Sequence, residues 1–287
     1  MPELPEVEIV KRSLNKVANK TKITSVKIKN KNLRYKLPND FSNKLLNEKI
    51  NKITRRSKYI IIHFKKKILL IHLGMTGKFI AINKKDNKIF RTSFYYKLNI
   101  LPQHNHIYFN LNNKFLLIYN DVRRFGFFKI YENKKLENIL FLKRLGPEPL
   151  SKNFNKIYFK DFIKKSKKNI KNLLMDQKFV SGLGNIYVNE VLYMTKIHPL
   201  RDCYDLSQLE IKKIIHNIKL ILKLSISKGG SSIRDFKNTS GKSGDFQQLF
   251  KVYGRENKNC SRISCKGKIK KLFICNRSSF YCNNCQI

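Results

Sequence analysis

The segment CSRISCKGKIKKLFICNRSSFYCNNC, residues 260–285, carries the clearest fold signal in this chain. Its outer cysteines form two pairs, Cys260-x4-Cys265 and Cys282-x2-Cys285, with 16 residues between the pairs. Two such pairs on facing turns can supply four thiolates in the tetrahedral geometry that a structural zinc ion requires. Because the segment is too short to bury a core of its own, metal binding would supply its folding energy. The sequence therefore predicts a C-terminal zinc finger that holds one zinc ion.

The remaining cysteines do not extend this pattern. Cys203 is expected to act as a small apolar residue, and Cys275 lacks a partner two residues away. Five of the six cysteines lie in the last 28 residues, four of them in the two pairs, which argues against a disulfide scaffold and favours a reducing cytoplasm. The alternative to a zinc site is a set of four reduced, unpaired thiols.

Upstream of the finger the apolar residues recur at helical spacing. Helices are predicted over Phe159–Asp176, Ile186–Thr195 and Leu206–Lys228. The last of these is expected to bury one face, formed by Leu209, Ile214, Ile218, Ile221 and Leu224. The glycines of 229–248 predict a loop. A second glycine turn, Gly182-Leu183-Gly184-Asn185, precedes a helix whose free N–H groups would favour a phosphate, although such a turn can also simply reverse the chain.

The first half of the chain is predicted to be rich in β-strands. Short β-branched and aromatic runs with polar turns between them predict strands at Tyr59–Phe64, Ile68–Leu73, His106–Leu111 and Phe115–Tyr119. A helix over residues 3–17 precedes them, and the Pro-containing LGPEPL at 145–150 predicts a linker. The fold class is therefore α+β and multidomain, with an N-terminal β-sandwich behind a leading helix.

The N-terminus carries a possible catalytic group. Removal of Met1 would leave Pro2 with a secondary amine of pKa about 8, a nucleophile able to form an iminium at a sugar C1′. Glu3 and Glu6 would share one helical face beside that amine, where one could transfer protons and the other could hold the amine. The plain alternative is a Pro-Glu helix start that complements the helix dipole.

Two later turns combine apolar and cationic residues. HLGMTG at 72–77 would present Met75 after a strand, and DVRRFG at 121–126 would present Arg123 and Phe125. Proteins that extrude a base fill the gap with apolar wedges and arginine, although Met and Phe are more often core residues.

The composition limits the classes of partner. Lys and Arg total 61 against 19 Asp and Glu, a net charge of +42, which favours a polyanion such as nucleic acid or an acidic membrane surface. An AT-rich codon bias toward Lys, Asn and Ile is the alternative source of this charge. The longest apolar runs, such as Ile68–Ile71, are far below the ~20 residues that span a bilayer, and no secretory signal is recognisable.

These segments, taken in order, resemble the formamidopyrimidine-DNA glycosylase family of base-excision repair enzymes. The resemblance rests on nine stretches: MPELPEVE (1–8), RRSKY (55–59), HLGMTG (72–77), DVRRFG (121–126), LGPEPL (145–150), GLGNIY (182–187), KGGSSIRDF (228–236), VYGR (252–255) and NRSSFYCNNCQ (276–286). It implies a bifunctional glycosylase and AP lyase that removes oxidised purines, such as 8-oxoguanine and formamidopyrimidines, and cuts the strand by β,δ-elimination.

The resemblance also implies roles for individual residues. Pro2 is the expected Schiff-base nucleophile, Glu3 the general acid/base and Glu6 the support of the amine. Lys58 is the expected proton donor in β-elimination, and Arg277 serves δ-elimination; both would also hold phosphate. The expected DNA contacts are Met75, Arg123 and Phe125, which fill the gap left by the lesion, together with His104, Asn185 and Lys167.

Several positions depart from the family pattern. The first cysteine pair is spaced x4 rather than x2, and Ser166 stands where a DNA-contacting lysine is common, so that Lys165 or Lys167 would have to compensate. Asn105 and Val122 replace the more usual Asp and Pro. Asp245 replaces an apolar or aromatic residue in the loop expected to cover the lesion.

The predicted organisation follows from the motifs and the resemblance together. We expect a catalytic β-sandwich over 1–133, a linker over 134–150, a helix–two-turn–helix domain with the lesion-covering loop over 151–250, and the zinc finger over 251–287. The expected partner is damaged double-stranded DNA, bound by a monomer in the cytoplasm, associated with the nucleoid and without a membrane.

Three alternative functions remain open at this point. An endonuclease VIII-like enzyme for oxidised pyrimidines would usually have Gly at the position of Leu4. A non-catalytic zinc DNA-binding protein would not need to retain Pro2, Glu3, Lys58 and Arg277 together. An RNA-binding protein would fit the charge but would explain none of the motifs.

Overall fold

The computed structural model describes residues 1–90, 92, 101–132, 136–230 and 249–287. These residues form two compact units. The first contains residues 1–142 with Gly229 and Gly230, and the second contains 143–228 with 249–287. Asp245, the departure from the family pattern in the expected lesion-covering loop, lies outside the described residues. The predicted domain boundaries stay a prediction.

The first unit is an antiparallel β-sandwich behind helix α1, Leu4–Ala18. One sheet is built from β1 Ile23–Ile28, β5 Lys78–Asn83, β6 Ile89–Phe90, β7 Asn105–Leu111 and β8 Phe115–Asn120, in the order β1-β7-β8-β5-β6. The other is built from β2 Lys52–Arg56, β3 Tyr59–His63, β4 Lys67–His72 and β9 Phe127–Glu132, in that order. Helix α2, Phe41–Leu45, and a 3₁₀ turn at Pro102–His104 lie on the connections.

The core of this unit lies between the two sheets. Phe128 of one sheet contacts Tyr119 and Phe79 of the other, with ring centroids 4.7 and 6.2 Å apart. Helix α1 adds buried Val7, Val10 and Leu14 to the same cluster. The leading helix and all four predicted strands are confirmed, because their apolar periodicity matches the face that each element buries.

The second unit contains helices and a hairpin. Its elements are α4 Lys156–Ile163, α5 Ile170–Met175, α6 Asn185–Thr195, α7 Gln208–Ser227, β10 Ile269–Ile274 and β11 Arg277–Cys282; a short helix α3, Leu140–Lys143, precedes them. Helix α6 is buried on almost every side and packs against α5, α7 and β11. The predicted helices over 186–195 and 206–228 are confirmed to within two residues.

Two expectations about these helices are wrong. The predicted helix 159–176 is broken after Ile163, because Asn169 accepts a hydrogen bond from the Asn172 amide (2.9 Å) and so starts α5 as a new helix. On α7, Leu209 and Leu224 are 60% and 40% exposed, whereas Ile211 and Leu222 are buried. The buried stripe of α7 is therefore turned toward the face that packs on α6.

No helix within the described ranges is both long enough and apolar enough to cross a bilayer.

Candidate functional site

The start of helix α1 brings three predicted catalytic residues together in a buried environment. Pro2 is buried, and Glu3 and Glu6 are only 3% and 1% exposed. Glu3 is the N-cap residue, and its amide donates a 2.9 Å hydrogen bond to Oε2 of Glu6, which closes a capping box. Gly230, with φ of +83°, packs over Glu6, where an added Cβ would lie 3.4 Å from Oε1. The chain therefore fixes two carboxylates beside the N-terminal residues.

The turn that carries Lys58 is connected to this helix by an ion-pair network. Arg55 donates from Nε to Oε2 of Glu8 (3.1 Å) and from Nη1 to the carbonyl of Ser57 (2.8 Å). Ser57 has a φ of +54°, and this left-handed residue turns β2 into β3 and precedes the buried Lys58. Glu8 lies on α1, so Arg55 links the helix of Pro2 to the turn of Lys58.

Electrostatic effects at the site are strong. Burial, together with the charges of Lys58 and Arg34, lowers the pKa of His72 to about 4. The His72 ring stays neutral at pH 7 and accepts a hydrogen bond on Nδ1 from the Gly74 amide (3.1 Å). For Glu8, burial raises the pKa, but Arg12, Lys11 and Arg55 outweigh burial and leave the pKa below its usual value.

Asp121 organises the two loops that carry the predicted wedge residues. This fully buried carboxylate accepts hydrogen bonds from Thr76 Oγ1 (2.5 Å), Tyr119 OH (3.1 Å) and the Gly126 amide (2.8 Å). Burial lowers the pKa of Lys78, whereas the nearby charge of Asp121 raises it. The loops 72–77 and 121–126, here called the wedge loops, thus share one internal anchor.

The wedge loops are also held by a glycine. Gly74 has a φ of +63°, and a Cβ at this position would lie 2.4 Å from the carbonyl carbon of Phe125. The contact brings the turn of half-buried Met75 against the loop of Phe125, whose ring is 40% exposed. The Arg123 guanidinium lies 4.6 Å from the centroid of that ring. An exposed cation and an exposed ring are therefore presented together, next to Met75.

His104 belongs to the same neighbourhood. Its carbonyl accepts a hydrogen bond from the Asp121 amide (3.0 Å). The buried His106, two residues later, donates from Nε2 to the Asp121 carbonyl (2.8 Å). The two substituted positions nearby are accommodated: Asn105 accepts from Asn120 Nδ2 (2.7 Å), and Val122 is exposed.

In the second unit, helix α6 begins at the predicted glycine turn. Gln177 braces this turn by accepting from the Gly182 amide and donating to the Leu183 carbonyl, both at 2.8 Å. The Asn185 amide group donates to the carbonyl of Ser278 (2.9 Å), so that the start of α6 is attached to β11. Lys167 is exposed on the segment between α4 and α5.

Arg277 lies at the tip of the finger hairpin. Cys275 and Asn276 both have positive φ (47° and 57°) and form the two-residue turn between β10 and β11. Arg277 follows this turn and is exposed. Lys171 of α5, only 1% exposed, reaches the hairpin and contacts Ser279 Oγ. Two polar side chains of the helical core, those of Lys171 and Asn185, thus hold the strand that begins with Arg277.

The cysteines of the finger form a cluster that suits a metal ion. All four Sγ atoms lie within 4.8 Å of one another, with Cys260 and Cys285 4.0 Å apart and Cys265 and Cys282 3.6 Å apart. A tetrahedral site with Zn–S bonds of about 2.3 Å requires separations close to these. The x4 spacing is compatible, because the Cys265 amide bonds the Arg262 carbonyl (3.1 Å) and closes the longer turn. Cys203 is buried and Cys275 is exposed, both outside the cluster.

Sequence reasoning missed the residues that hold these groups in place. Asp121 is the first residue of the motif DVRRFG, and Arg55 and Glu8 lie inside RRSKY and MPELPEVE, but the sequence alone assigns none of them a role. The sequence feature that could have indicated these residues is that they are charged and lie next to glycines or strand ends. Arg55 and Glu8 are 47 residues apart, and Asp121 and Thr76 are 45 residues apart, so no local pattern indicates these contacts.

Two family models match the chain. The formamidopyrimidine-DNA glycosylase N-terminal domain matches residues 1–128, and the formamidopyrimidine-DNA glycosylase H2TH domain matches residues 145–237. Among curated relatives, the formamidopyrimidine-DNA glycosylase of Bartonella tribocorum is 37% identical over 292 residues, which cover 100% of both chains. That of Roseobacter denitrificans is 42% identical over 170 residues, 59% of this chain and 60% of its own.

Solved structures agree with these matches. The Lactococcus lactis enzyme in complex with abasic-site DNA has a TM-score of 0.84 and 32% identity, with 99% of each chain covered. A mutant of the Lactococcus lactis enzyme with DNA containing Fapy-dG has a TM-score of 0.83 and 33% identity, with 98% of each chain covered. The expected α+β architecture, with a β-sandwich, helix–two-turn–helix domain and cysteine finger, is confirmed. On sequence, domain content and fold, the chain belongs to the formamidopyrimidine-DNA glycosylase family.

Proposed function

We propose that this protein is a bifunctional DNA glycosylase and AP lyase that excises oxidised purines and cuts the strand by β,δ-elimination. The observation that carries the proposal is the buried group at the start of α1, where Pro2, Glu3 and Glu6 lie together. The Arg55–Glu8 pair links this group to the turn of Lys58. A nucleophile, a proton-transfer group and a cation in one place suit covalent catalysis at a sugar.

In this mechanism the Pro2 nitrogen, freed by removal of Met1, attacks C1′ of the damaged nucleotide. The C1′–N bond to the base breaks, and the base leaves with a proton supplied by Glu3. The Pro2 nitrogen then loses its proton, the C1′–O4′ bond of the sugar ring opens with O4′ taking up a proton, and the opened sugar is held as an iminium. Glu6, fixed by its hydrogen bond from the Glu3 amide, supports the positively charged nitrogen. The iminium acidifies C2′, so that a base can remove a C2′ proton and expel the 3′ phosphate.

Two cations assist the strand-cleavage steps. Lys58 would donate a proton during β-elimination and hold a phosphate near the sugar. Arg277, exposed at the tip of the finger hairpin, would serve the δ-elimination that releases the 5′ phosphate. A guanidinium in this place can hold phosphate oxygens in a bidentate manner.

The wedge loops would stabilise the extruded state of the DNA. Met75 and Phe125 would fill the gap in the stack, and Arg123 would bond the acceptors of the orphaned cytosine. His104, Asn185 and Lys167 would contact the backbone. The cost of unstacking, a few kcal/mol, is lowest at a damaged pair, which favours extrusion of the lesion.

We further propose that Cys260, Cys265, Cys282 and Cys285 hold one structural zinc ion. The separations of their Sγ atoms fit a tetrathiolate site. The ion supplies folding energy to the finger and takes no part in the reaction. The partner is damaged duplex DNA, a polyanion that the net charge of +42 favours. We propose that a monomer binds it in the cytoplasm.

Borohydride trapping tests the proposal directly. The protein is incubated with an 8-oxoguanine:cytosine duplex, a thymine glycol duplex and an undamaged duplex, and borohydride reduces any iminium to a stable adduct. We expect an adduct with the 8-oxoguanine duplex that disappears when the Pro2 nitrogen is blocked by retention of Met1. Pro5→Ala changes a second proline, in the first turn of α1, and serves as the matched control. We expect this variant to keep the adduct.

Other outcomes contradict the proposal in distinct ways. An adduct formed preferentially with thymine glycol indicates an oxidised-pyrimidine enzyme. Binding to damaged DNA without an adduct indicates a non-catalytic zinc DNA-binding protein.

A further inference from the structure

The longer first cysteine turn makes contacts that its metal-binding role does not require. Residues 260–265, here called the knuckle, place Arg262 against the last turn of α6. Its Nη2 atom donates to the carbonyls of Tyr193 (2.7 Å) and Met194 (3.2 Å), and the guanidinium stacks 4.7 Å from the centroid of the Tyr193 ring. Carbonyls at a helix C-terminus lack partners within the helix, and a cation there also complements the dipole.

Tyr193 completes the attachment from the helix side. It is 4% exposed, and its hydroxyl lies 3.2 Å from Cys260 Sγ and 3.1 Å from Ser261 Oγ. One buried tyrosine therefore contacts a proposed zinc ligand through its hydroxyl and Arg262 through its ring.

The opposite end of α6 is attached to the opposite end of the finger. Asn185 Nδ2 donates to the Ser278 carbonyl (2.9 Å), and Asn189 Oδ1 accepts from the Phe280 amide (2.8 Å). These contacts lie one and three residues after Arg277 on β11. The finger therefore meets α6 at its C-terminal end through the knuckle and in its N-terminal half through β11. Between them Glu190 accepts hydrogen bonds from the amides of residues 251–253, and the Ile287 amide donates to the Lys196 carbonyl (3.1 Å).

We propose that Arg262 is a positioning residue that clamps the knuckle to α6 and thereby sets the place of Arg277 relative to Asn185. Without Arg262 the cysteine end of the hairpin would lose its side-chain attachment to the last turn of α6. The hairpin could then rotate about the Asn185 and Asn189 contacts, and the exposed Arg277 beside them would lose its fixed position. The attachment of the knuckle to the same helix restricts that rotation. The role of Arg277 rests on the proposed function, whereas the clamp itself can be tested without DNA.

The test compares three substitutions with one matched control. Arg262→Ala removes the clamp, Arg262→Lys keeps the charge but loses the planar stacking group, and Tyr193→Phe keeps the ring but removes the hydroxyl. Lys270→Ala removes one positive charge from an exposed position on β10 and serves as the control. Each variant is prepared as the full zinc-loaded chain.

Two measurements use the DNA-free protein. Hydrogen exchange at the Phe280 amide reports the attachment of β11, and zinc transfer to a chelating dye reports the closure of the knuckle. Loss of one charged hydrogen-bonding group predicts about tenfold faster zinc release and exchange for Arg262→Ala. Arg262→Lys should restore part of this loss, Tyr193→Phe should lie between wild type and Arg262→Ala, and Lys270→Ala should match wild type.

A third measurement concerns the reaction. On abasic-site DNA, Arg262→Ala should lower the ratio of δ- to β-elimination product about fivefold, equivalent to roughly 1 kcal/mol, with borohydride trapping unchanged. Faster zinc release with unchanged Phe280 exchange would overturn the positioning role, as would equal effects of Lys270→Ala. If the wild type forms no adduct at all, the proposed function fails, and Phe280 exchange still decides whether Arg262 clamps the finger.

Discussion

Single carboxylates hold the proposed reactive groups of this protein in place. Glu8 and Asp121 do not belong to the proposed catalytic set, yet each joins segments that carry members of it. A carboxylate suits this task because two oxygens can accept several hydrogen bonds at once. Both residues act by fixing the positions of other residues, and the partners that they bind lie far away in the sequence.

The Glu8 ion pairs predict a pH-dependent contribution to stability. Because the folded-state pKa of Glu8 lies below its usual value, its contribution is present above about pH 4.3, the ordinary value for Glu, and is lost as pH falls through the folded pKa. Glu8→Gln should therefore lower the free energy of unfolding by about 1–2 kcal/mol at pH 7, and the difference should shrink below pH about 4. Urea denaturation of the wild type and the variant at pH 7 and at pH 3.5 measures this difference in the free energy of unfolding.

An exposed carboxylate provides the control for this experiment. Asp86 is 41% exposed and lies 3.8 Å from Lys88, so Asp86→Asn should change stability little at either pH. A Glu8→Gln effect that is equal at pH 7 and pH 3.5 would show that the ion pairs are not its cause.

At the scale of elements, the wedge loops depend on close backbone packing. Gly74→Ala would force a Cβ to within 2.4 Å of the Phe125 carbonyl carbon at a φ of +63°, so one loop must move. We expect a loss of about 2 kcal/mol or more in the free energy of unfolding. A weaker preference for the damaged duplex over the undamaged one should accompany it, because Met75 and Phe125 separate.

Thermal unfolding and duplex-binding titrations measure these two effects. Val122→Ala is the control on the same loop, since Val122 is 44% exposed. Retention of wild-type discrimination by Gly74→Ala would exclude the paired loops as the source of lesion recognition.

Local pattern predicted most of the elements but not their mutual arrangement. The strands β3, β4, β7 and β8 and the helix α6 follow from apolar periodicity, because each buries a continuous face. The break at Asn169 was missed, since a side-chain cap competes with a helical pattern that continues on both sides. The exposed Leu209 and Leu224 were misplaced for another reason, because tertiary packing on α6 selects which of two adjacent apolar stripes is buried.

The residues of the candidate site also differ in how far the sequence alone predicts them. Pro2, Glu3 and the four cysteines could be proposed from chemistry and spacing alone. Lys58 and Arg277 required a family resemblance, because a lysine or arginine in a basic chain has no distinguishing local signal. Arg262 could not be found from sequence, since its partners are helix carbonyls about 70 residues earlier.

At the scale of the whole molecule, the charge of +42 is expected to govern DNA affinity. The logarithm of the association constant should fall linearly with the logarithm of salt concentration, with a slope of about −0.9 per neutralised phosphate. Lys167→Ala and Arg277→Ala should each reduce the slope by about one if they contact phosphate. Lys88→Ala, 79% exposed on the β5–β6 turn, should leave it unchanged.

Fluorescence titration of a labelled abasic duplex at several salt concentrations gives these slopes. Equal slopes for all three variants would mean that the charge excess reflects composition rather than specific phosphate contacts.

The burial of helix α6 has a consequence for how the chain is synthesised. Glu190 on this helix accepts hydrogen bonds from the amides of Lys251, Val252 and Tyr253, and Asn189 pairs with Phe280. While the ribosome has made only the helices, the Glu190 carboxylate and Asn189 Oδ1 lack these amide partners, and the nascent domain carries polar groups where its interior will be. Residues 251–253 and 280, which emerge after the helices, supply the missing partners, so the finger completes the helical domain instead of being appended to a finished one.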